Sequence, residues 1–152
     1  MKEKPILFSG PMIRAILANT KTQTRRVVKP QPSNGWAFET PPVFGRITST
    51  HTKRGRFGAF LRRGIGTDFP EIDLIPCPYG QPGDRLWVRE TWGLHSYGDE
   101  TNWLSASGLA ITKDILALWD IAYRADFGPM QDDCHWRPSI HMPRWASRIL
   151  LE

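Results

Sequence analysis

The ten residues GDRLWVRETW, numbers 83–92, contain the strand signal on which the predicted fold rests. Gly83 and Asp84 are a turn signal, and a run of alternating side chains follows them. Successive side chains of a strand point to opposite faces, so one face of this run consists of Leu86, Val88, Glu90 and Trp92. The other face carries Trp87, Arg89 and Thr91. We therefore expect a strand with one face in the core.

Glu90 is the exception on that face. A carboxylate among apolar side chains needs a cation or a hydrogen-bond donor, because burying an unpaired charge is very unfavourable. Two interpretations follow from this position. Either Glu90 pairs with an arginine as part of the structure, or it lines a polar pocket.

Residues 5–28 predict a strand, a helix and a second strand. Residues 5–8 are a short apolar strand, and Ser9, Gly10 and Pro11 mark a helix start with Pro in the first turn. Apolar residues at helical spacing give this helix one buried face, and Asn19 marks its end. The Thr- and Val-rich residues 20–28 favour an extended strand.

Residues 30–83 have a different composition, with eight Pro and eight Gly in 54 positions. We interpret 30–82 as a long insertion with local turns and a hairpin near 48–60, and loops of this length are usually functional. Residues 94–118 are expected to be loop-like with a short helix at 112–118. Alternation at 121–125 and the apolar residues of 147–151 predict two further strands. The prediction is a single α+β domain over residues 1–152: a small mixed β-barrel flanked by short helices, with a Pro/Gly-rich basic insertion.

Charge is unevenly distributed along the 152 residues. The chain has 20 Lys+Arg and 15 Asp+Glu, for a formal net charge of +5. Residues 21–63 hold ten basic groups and one acid, whereas residues 64–133 hold twelve acids and four bases. A basic block of this kind attracts phosphates, although a solvated basic loop would have the same composition. The 40% hydrophobic content argues against wholesale disorder.

Cations alternate with two phenylalanines in residues 53–63. That mixture suits phosphate contact combined with base stacking. The nucleic-acid contacts predicted here are Lys53, Arg54, Arg56, Arg62 and Arg63. The alternative is a hairpin whose Phe side chains fold back onto the barrel. A further interpretation is that the 30–82 insertion binds another protein.

Three blocks of the sequence resemble a known family. Residues 16–26, ILANTKTQTRR, resemble the signature of the ASCH domain, a relative of the PUA RNA-binding fold, and residues 83–92 resemble its second block. Residues 136–148 resemble a third block of phage and prophage ASCH-like proteins. The resemblance implies a five- or six-stranded β-barrel with a cleft built around Lys21, and PUA-like relatives bind RNA or modified bases. A minimal ASCH domain lacks the basic insertion of this chain.

The resemblance also implies a site and two activities. Binding of RNA or a modified nucleotide would use Lys21, Thr22, Arg25, Arg26 and Arg89. One small bacterial ASCH-type enzyme is an amidohydrolase that deacetylates N4-acetylcytidine with a Lys, a Thr three positions on, and a Glu. Lys21 and Thr24 match the first two, and Glu90, inside the second block, is a substitute for the third. An amidohydrolase, or a nuclease using the same cleft, is therefore the alternative to a binding protein.

The chemistry of Lys21 and Thr24 sets a geometric condition. A Thr hydroxyl is a poor nucleophile unless a base takes its proton, and a Lys with a lowered pKa can do so. In a strand, residues 21 and 24 point to opposite faces, so a bulge or turn is needed for them to converge. Without that convergence, Lys21 and Arg25 would bind phosphate or carboxylate with no chemistry.

No metal or cofactor is expected. Cys77, Cys134, His135 and His141 are zinc-ligand types, but they lack a C-x₂-C pair. Two cysteines do not make a disulfide framework, which favours a reducing, cytoplasmic setting. The first ten residues show no signal peptide, and no run approaches the roughly 20 apolar residues of a membrane span. The expected partner is RNA or a nucleotide. No association with a membrane is expected.

Overall fold

The computed structural model describes residues 2–68, 70–96, 99–103, 119–128 and 135–152. In chain order its elements are β1 (Glu3–Leu7), α1 (Gly10–Leu17), β2 (Ala37–Phe38), β3 (Phe44–Arg46), β4 (Phe57–Arg63), β5 (Glu71–Pro76), β6 (Arg85–Arg89), β7 (Trp92–Ser96), β8 (Asp99–Trp103), β9 (Trp119–Tyr123), the 3-10 helices η1 (Arg124–Asp126), η2 (Ser139–His141) and η3 (Arg144–Ala146), and β10 (Leu150–Leu151). Strands predominate and the described part has one α-helix, which confirms the mixed α+β class.

Two compact units divide the chain. The first consists of Met1–Lys2 and Arg25–Asp84, and the second of Glu3–Thr24 and Arg85–Glu152. The stretch 30–82, interpreted from sequence as an insertion, lies inside the first unit.

An antiparallel sheet forms the first unit. Its central strand, β4, pairs with β2 and β3 along one edge and with β5 along the other. Gly58 allows the close approach of β4 to β5, since a Cβ at this position would fall on the main-chain oxygen of Ile75. The hairpin predicted near 48–60 is the pair β3 and β4. The buried apolar side chains of this unit are Ile47, Ala59, Leu61, Leu74 and Ile75.

Two three-stranded sheets form the second unit. In one, β6 pairs with β1 in parallel and with β10 in antiparallel orientation. In the other, β7 lies between β8 and β9 and is antiparallel to both. The run predicted as one strand over 85–92 is therefore two strands, and Glu90 and Thr91 lie at the junction between them.

The core of the second unit consists of buried side chains with partly buried side chains packed around them. Trp92, Leu94, Met142 and Ala146 are at most 1% exposed, and the partly buried Trp119, Ile121 and Tyr123 pack against them. Helix α1 contributes Ile13, which is fully buried, and ends as predicted, with Asn19 in the left-handed region at φ 55°. Burial of this apolar surface is the main source of stability.

Two expectations from sequence were wrong. Residues 20–28 join no sheet, because the β-propensity of Thr and Val reflects packing on a half-buried surface and most of these residues are exposed. Residues 94–103, expected to be loop-like, contain β7 and β8, and Leu94 is fully buried. The helix expected at 112–118 lies outside the described residues.

The predicted barrel is also absent from the described residues, where the strands form three sheets that do not close on themselves. The described helices are all too short or too polar to cross a membrane.

Candidate functional site

The block around Lys21 is divided between the two compact units. Lys21 and Thr24 are half-buried in the second unit, whereas Arg25 and Arg26 are exposed in the first. Thr22 is exposed, and the Lys21 ammonium donates a hydrogen bond to the Gln23 carbonyl oxygen.

The structure gives no contact that would assemble a catalytic triad from this block. In the described part of the chain, no hydrogen bond or ion pair joins Lys21, Thr24 and Glu90. The ammonium of Lys21 is engaged by a main-chain oxygen instead of the Thr24 hydroxyl that it was expected to activate. The geometric condition for nucleophilic catalysis by Thr24 is therefore not met by the contacts in the structure.

Glu90 pairs with an arginine, as one of the two interpretations from sequence required. Its side chain is 2% exposed, and Arg148 donates from Nε to Oε1 at 3.0 Å and from Nη2 to Oε2 at 3.1 Å. The Glu90 N–H donates to the sulfur of Met142 at 3.2 Å. Glu90 is buried in phase with Val88 and Trp92, and at this inner position the guanidinium replaces the water that the carboxylate loses.

Arg148 also binds a second carboxylate. Its Nη1 donates to Oδ2 of Asp126 at 2.6 Å, and its Nη2 donates to Oδ1 at 2.8 Å. The guanidinium lies 4.0 Å from the ring centroid of Tyr123, and the Tyr123 hydroxyl donates to the Ala146 carbonyl oxygen at 2.9 Å. A chain of charged groups thus runs from the buried Glu90 through Arg148 to the exposed Asp126.

Burial and pairing shift the pKa values of this network in different directions. Burial raises the pKa of Glu90 above its ordinary value, although the hydrogen bonds from Arg148 act against it. Burial also raises the pKa of the Tyr123 hydroxyl. Burial alone would lower the pKa of Arg148, but the hydrogen bonds to Asp126 and Glu90 raise it. Arg148 therefore stays charged at any physiological pH.

Asp126 is one of the residues that line an open cleft with a volume of 720 Å³ in the second unit. The cleft lies between the start of α1 and the 3-10 helix η1 with the residues that follow it. Its lining consists of Gly10, Arg14, Arg124, Ala125, Asp126, Phe127 and Gly128.

Arg14 supplies a positive charge to this cleft. Its Nη1 donates to the Ala125 carbonyl oxygen at 3.2 Å, and no salt bridge of the described residues includes it. The same wall contains the first turn of α1, where the Ser9 side chain makes no capping hydrogen bond and Pro11 has no N–H. The Gly10 N–H consequently has no acceptor within the helix and lies at the positive end of the helix dipole.

Arg124 and Phe127 add a cation and an aromatic ring to the lining. The Nη1 of Arg124 donates to the carbonyl oxygens of Phe127 at 3.1 Å and Gly128 at 2.9 Å. The ring of Trp136 lies 5.4 Å from that of Phe127 and 5.7 Å from the Arg124 guanidinium. The cleft therefore combines cations with an aromatic side chain held by a second ring.

The basic residues predicted to contact nucleic acid lie in the first unit, and three of them have acidic partners. Lys53 donates to both carboxylate oxygens of Asp73 at 2.8 and 2.9 Å. Arg62 pairs with Glu39, and Arg63 pairs with Glu71. Arg54 and Arg56 are exposed. An ion pair has no net charge at a distance, so pairing reduces the attraction of this segment for phosphate.

Arg89, which was also predicted to bind a ligand, makes its contacts within the protein. Its Nη1 donates to the Ile140 carbonyl oxygen at 3.1 Å, and its guanidinium stacks over the ring of Trp87 at 4.6 Å. This contact network gives Arg89 a structural role in joining β6 to η2.

Sequence reasoning missed most of the cleft. Arg14, Arg124, Asp126, Phe127 and Arg148 were not singled out, because each is an ordinary polar or aromatic residue in its local pattern. One signal was present: a carboxylate on an apolar strand face requires a cation, and that cation is Arg148. No group of three or more His, Cys, Asp or Glu suited to a metal ion occurs in the described residues.

Comparison with protein-family models, with curated proteins and with solved structures gave no match for this chain.

Proposed function

We propose that this protein binds RNA or a nucleotide, and that the cleft of the second unit receives a phosphate of that ligand. The observation that carries the proposal is Arg14, whose guanidinium lies in a 720 Å³ cleft and is held by a neutral carbonyl oxygen. Because Arg14 is held by a carbonyl oxygen and by no carboxylate, its guanidinium can pair with a ligand phosphate. Gly10, the first residue of α1, also lines the cleft, and N–H groups at helix starts bind phosphate.

The rest of the lining suits the organic part of a nucleotide. Phe127 offers an aromatic face near Trp136, and base–aromatic stacking contributes roughly 1–3 kcal/mol per base in single-strand binding. The resemblance of three sequence blocks to ASCH domains, in the expected order, also supports the proposal, and an ASCH/PUA-like relationship is part of it.

Calorimetric titration of the purified protein tests the proposal. The ligands are a nucleoside 5′-monophosphate and a short single-stranded RNA. The Arg14→Gln variant should bind the monophosphate about tenfold or more weakly, because it loses a charge-assisted hydrogen bond. For RNA, the slope of log affinity against log salt should fall by about one in this variant.

Two control variants separate a local site from general charge. Arg14→Lys keeps the charge and should retain part of the affinity. Arg56→Gln removes the same charge from an exposed position in the first unit and should leave monophosphate binding unchanged. The proposal fails if wild-type protein binds neither ligand, or if Arg14→Gln and Arg56→Gln bind the monophosphate equally well.

A further inference from the structure

Asp126 is a carboxylate in the wall of a cleft that we assign to an anionic ligand. We propose that Asp126 recognises a pair of hydrogen-bond donors on that ligand, either the 2′,3′-hydroxyls of a ribose or the N–H edge of guanine. This inference rests on the proposed function, and it adds a specificity-determining residue and a narrower ligand class.

The first argument is that Asp126 is immobilised. Arg148 uses four N–H···O bonds, two to Asp126 and two to Glu90, out of the five that a guanidinium can donate. Glu90 is 2% exposed and fixes the far side of the guanidinium, and Tyr123 lies against its face at 4.0 Å. A carboxylate held by a buried support is oriented before a ligand arrives, so binding loses little side-chain entropy.

The second argument is that Asp126 keeps both acceptor capacity and negative charge. Each of its oxygens accepts one bond from Arg148 and retains a lone pair for another donor. Arg148 is one cation shared by two carboxylates, so it does not neutralise both of them in full. Because Glu90 is buried and the Asp126 side chain is 44% exposed, Asp126 is the carboxylate of this pair that a ligand can reach.

The third argument concerns which ligands can bind in a cleft that contains both Arg14 and Asp126. Asp126 repels a simple anion that approaches Arg14, so bare phosphate should bind poorly. A ligand with both a phosphate and neutral hydrogen-bond donors can pair with Arg14 and donate to Asp126 at the same time. A ribonucleotide meets this requirement through its diol, and a guanine nucleotide meets it through N1–H and the 2-amino group.

Comparison of ligands on the wild-type protein gives a test that needs no variant. The probes are GMP, dGMP, AMP, dAMP and inorganic phosphate, titrated by calorimetry. If the diol is recognised, GMP and AMP should each bind about tenfold more tightly than their 2′-deoxy forms, since a hydrogen bond to a charged group is lost. If the guanine edge is recognised, GMP and dGMP should each exceed the adenine ligands by a similar factor. Equal affinity for all four nucleotides would overturn the inference.

The Asp126→Asn variant gives a second test with opposite signs for two ligands. Loss of the negative charge should raise the affinity for inorganic phosphate, and loss of an acceptor should lower the affinity for the preferred nucleotide. Glu3→Gln, which removes an exposed carboxylate paired with Arg144, is the matched control and should change neither. If Asp126→Asn binds phosphate and nucleotide more tightly by the same factor, Asp126 only repels anions and the inference is wrong.

The two proposals fail in distinguishable ways. Nucleotide binding that depends on Arg14 but shows no donor preference overturns the role of Asp126 alone. Absence of nucleotide binding to the wild-type protein overturns both. Thermal unfolding of each variant checks that its fold is retained, and the wild-type ligand comparison stands if the Asp126→Asn variant does not fold.

Discussion

Replacement of Arg148 by Met tests whether Glu90 depends on its arginine. In Arg148→Met the Glu90 carboxylate, 2% exposed, keeps its burial but loses both hydrogen bonds from the guanidinium. Removing one partner of a buried ion pair typically costs about 3–5 kcal/mol, because the other charge is left uncompensated. We therefore expect a large loss of the free energy of unfolding at neutral pH.

The protonation of Glu90 limits that loss and makes it depend on pH. An unpaired carboxyl can escape its penalty by binding a proton, and protonating a group of ordinary pKa 4.5 at pH 7 costs about 3.4 kcal/mol, or about 1.4 kcal/mol per pH unit. The native variant then holds one more proton than the unfolded chain, so its stability falls as pH rises above 4.5. The expected loss relative to wild type is at most about 3 kcal/mol at pH 7, since burial already raises the pKa of Glu90 in the wild type, and it becomes small near pH 4.5.

Urea unfolding of Arg148→Met and wild type between pH 4.5 and 7 measures this difference. In the double variant Glu90→Gln/Arg148→Met the excess pH slope should disappear, since a neutral amide has no charge to bury. Arg144→Met, whose partner Glu3 is exposed, is the control; it should differ in pH profile only near and below pH 4.5, where the lowered pKa of Glu3 acts, and should run parallel to wild type at higher pH. Parallel pH profiles for Arg148→Met and wild type would refute the argument that Glu90 depends on this ion pair.

Three further changes test the packing and charge of the two units. Gly58→Ala should destabilise the first unit by more than about 2 kcal/mol in chemical denaturation, because the new Cβ falls on the Ile75 oxygen and main chain cannot yield as a side chain can. Met142→Ala should cost about 3 kcal/mol in the same assay, since this side chain is fully buried in the core of the second unit. Burial acts to raise the pKa of Asp73, but hydrogen bonds from Lys53 and the main chain lower it below its ordinary 3.8. Asp73→Asn should therefore cost about 1 kcal/mol at pH 7, and the difference from wild type should shrink as pH falls below 3.8.

Local sequence signals predicted the elements that are defined by their own residues. Pro11 and Asn19 bracket α1 because a helix start and a helix end are determined by backbone geometry within a few positions. The strand at 121–125 and the closing strand were predicted from alternation and apolar runs, and both exist with shifted bounds as β9 and β10. The strand expected at 20–28 failed because its residues gain no partner, and pairing is a property of the tertiary structure.

The candidate site depended on contacts that no local pattern contains. The cation required by Glu90 could be expected from sequence, but its identity could not, because Arg148 lies 58 residues away in the chain. Arg14 is a solvent-facing residue in the helical pattern, and only the position of the Ala125 carbonyl oxygen shows that it lines a cleft. The sequence predicted that Glu90 needs a partner, but it did not predict which residues form the cleft.

The charge distribution of the sequence predicted a ligand site in one segment, whereas the structure places the candidate cleft in another. The reason is physical. Residues 53–63 contain the densest cluster of cations, yet Lys53, Arg62 and Arg63 each contact an acidic side chain of the same unit. A count of Lys and Arg along the sequence does not show which of these cations are paired with acidic side chains in the fold. The field available to a ligand comes from charge that the fold leaves unpaired, and Arg14 is in no ion pair of the described residues. If the two proposals hold, we expect a ligand with an anion at one end and neutral donors at the other to bind the second unit more tightly than a simple polyanion binds the basic segment of the first.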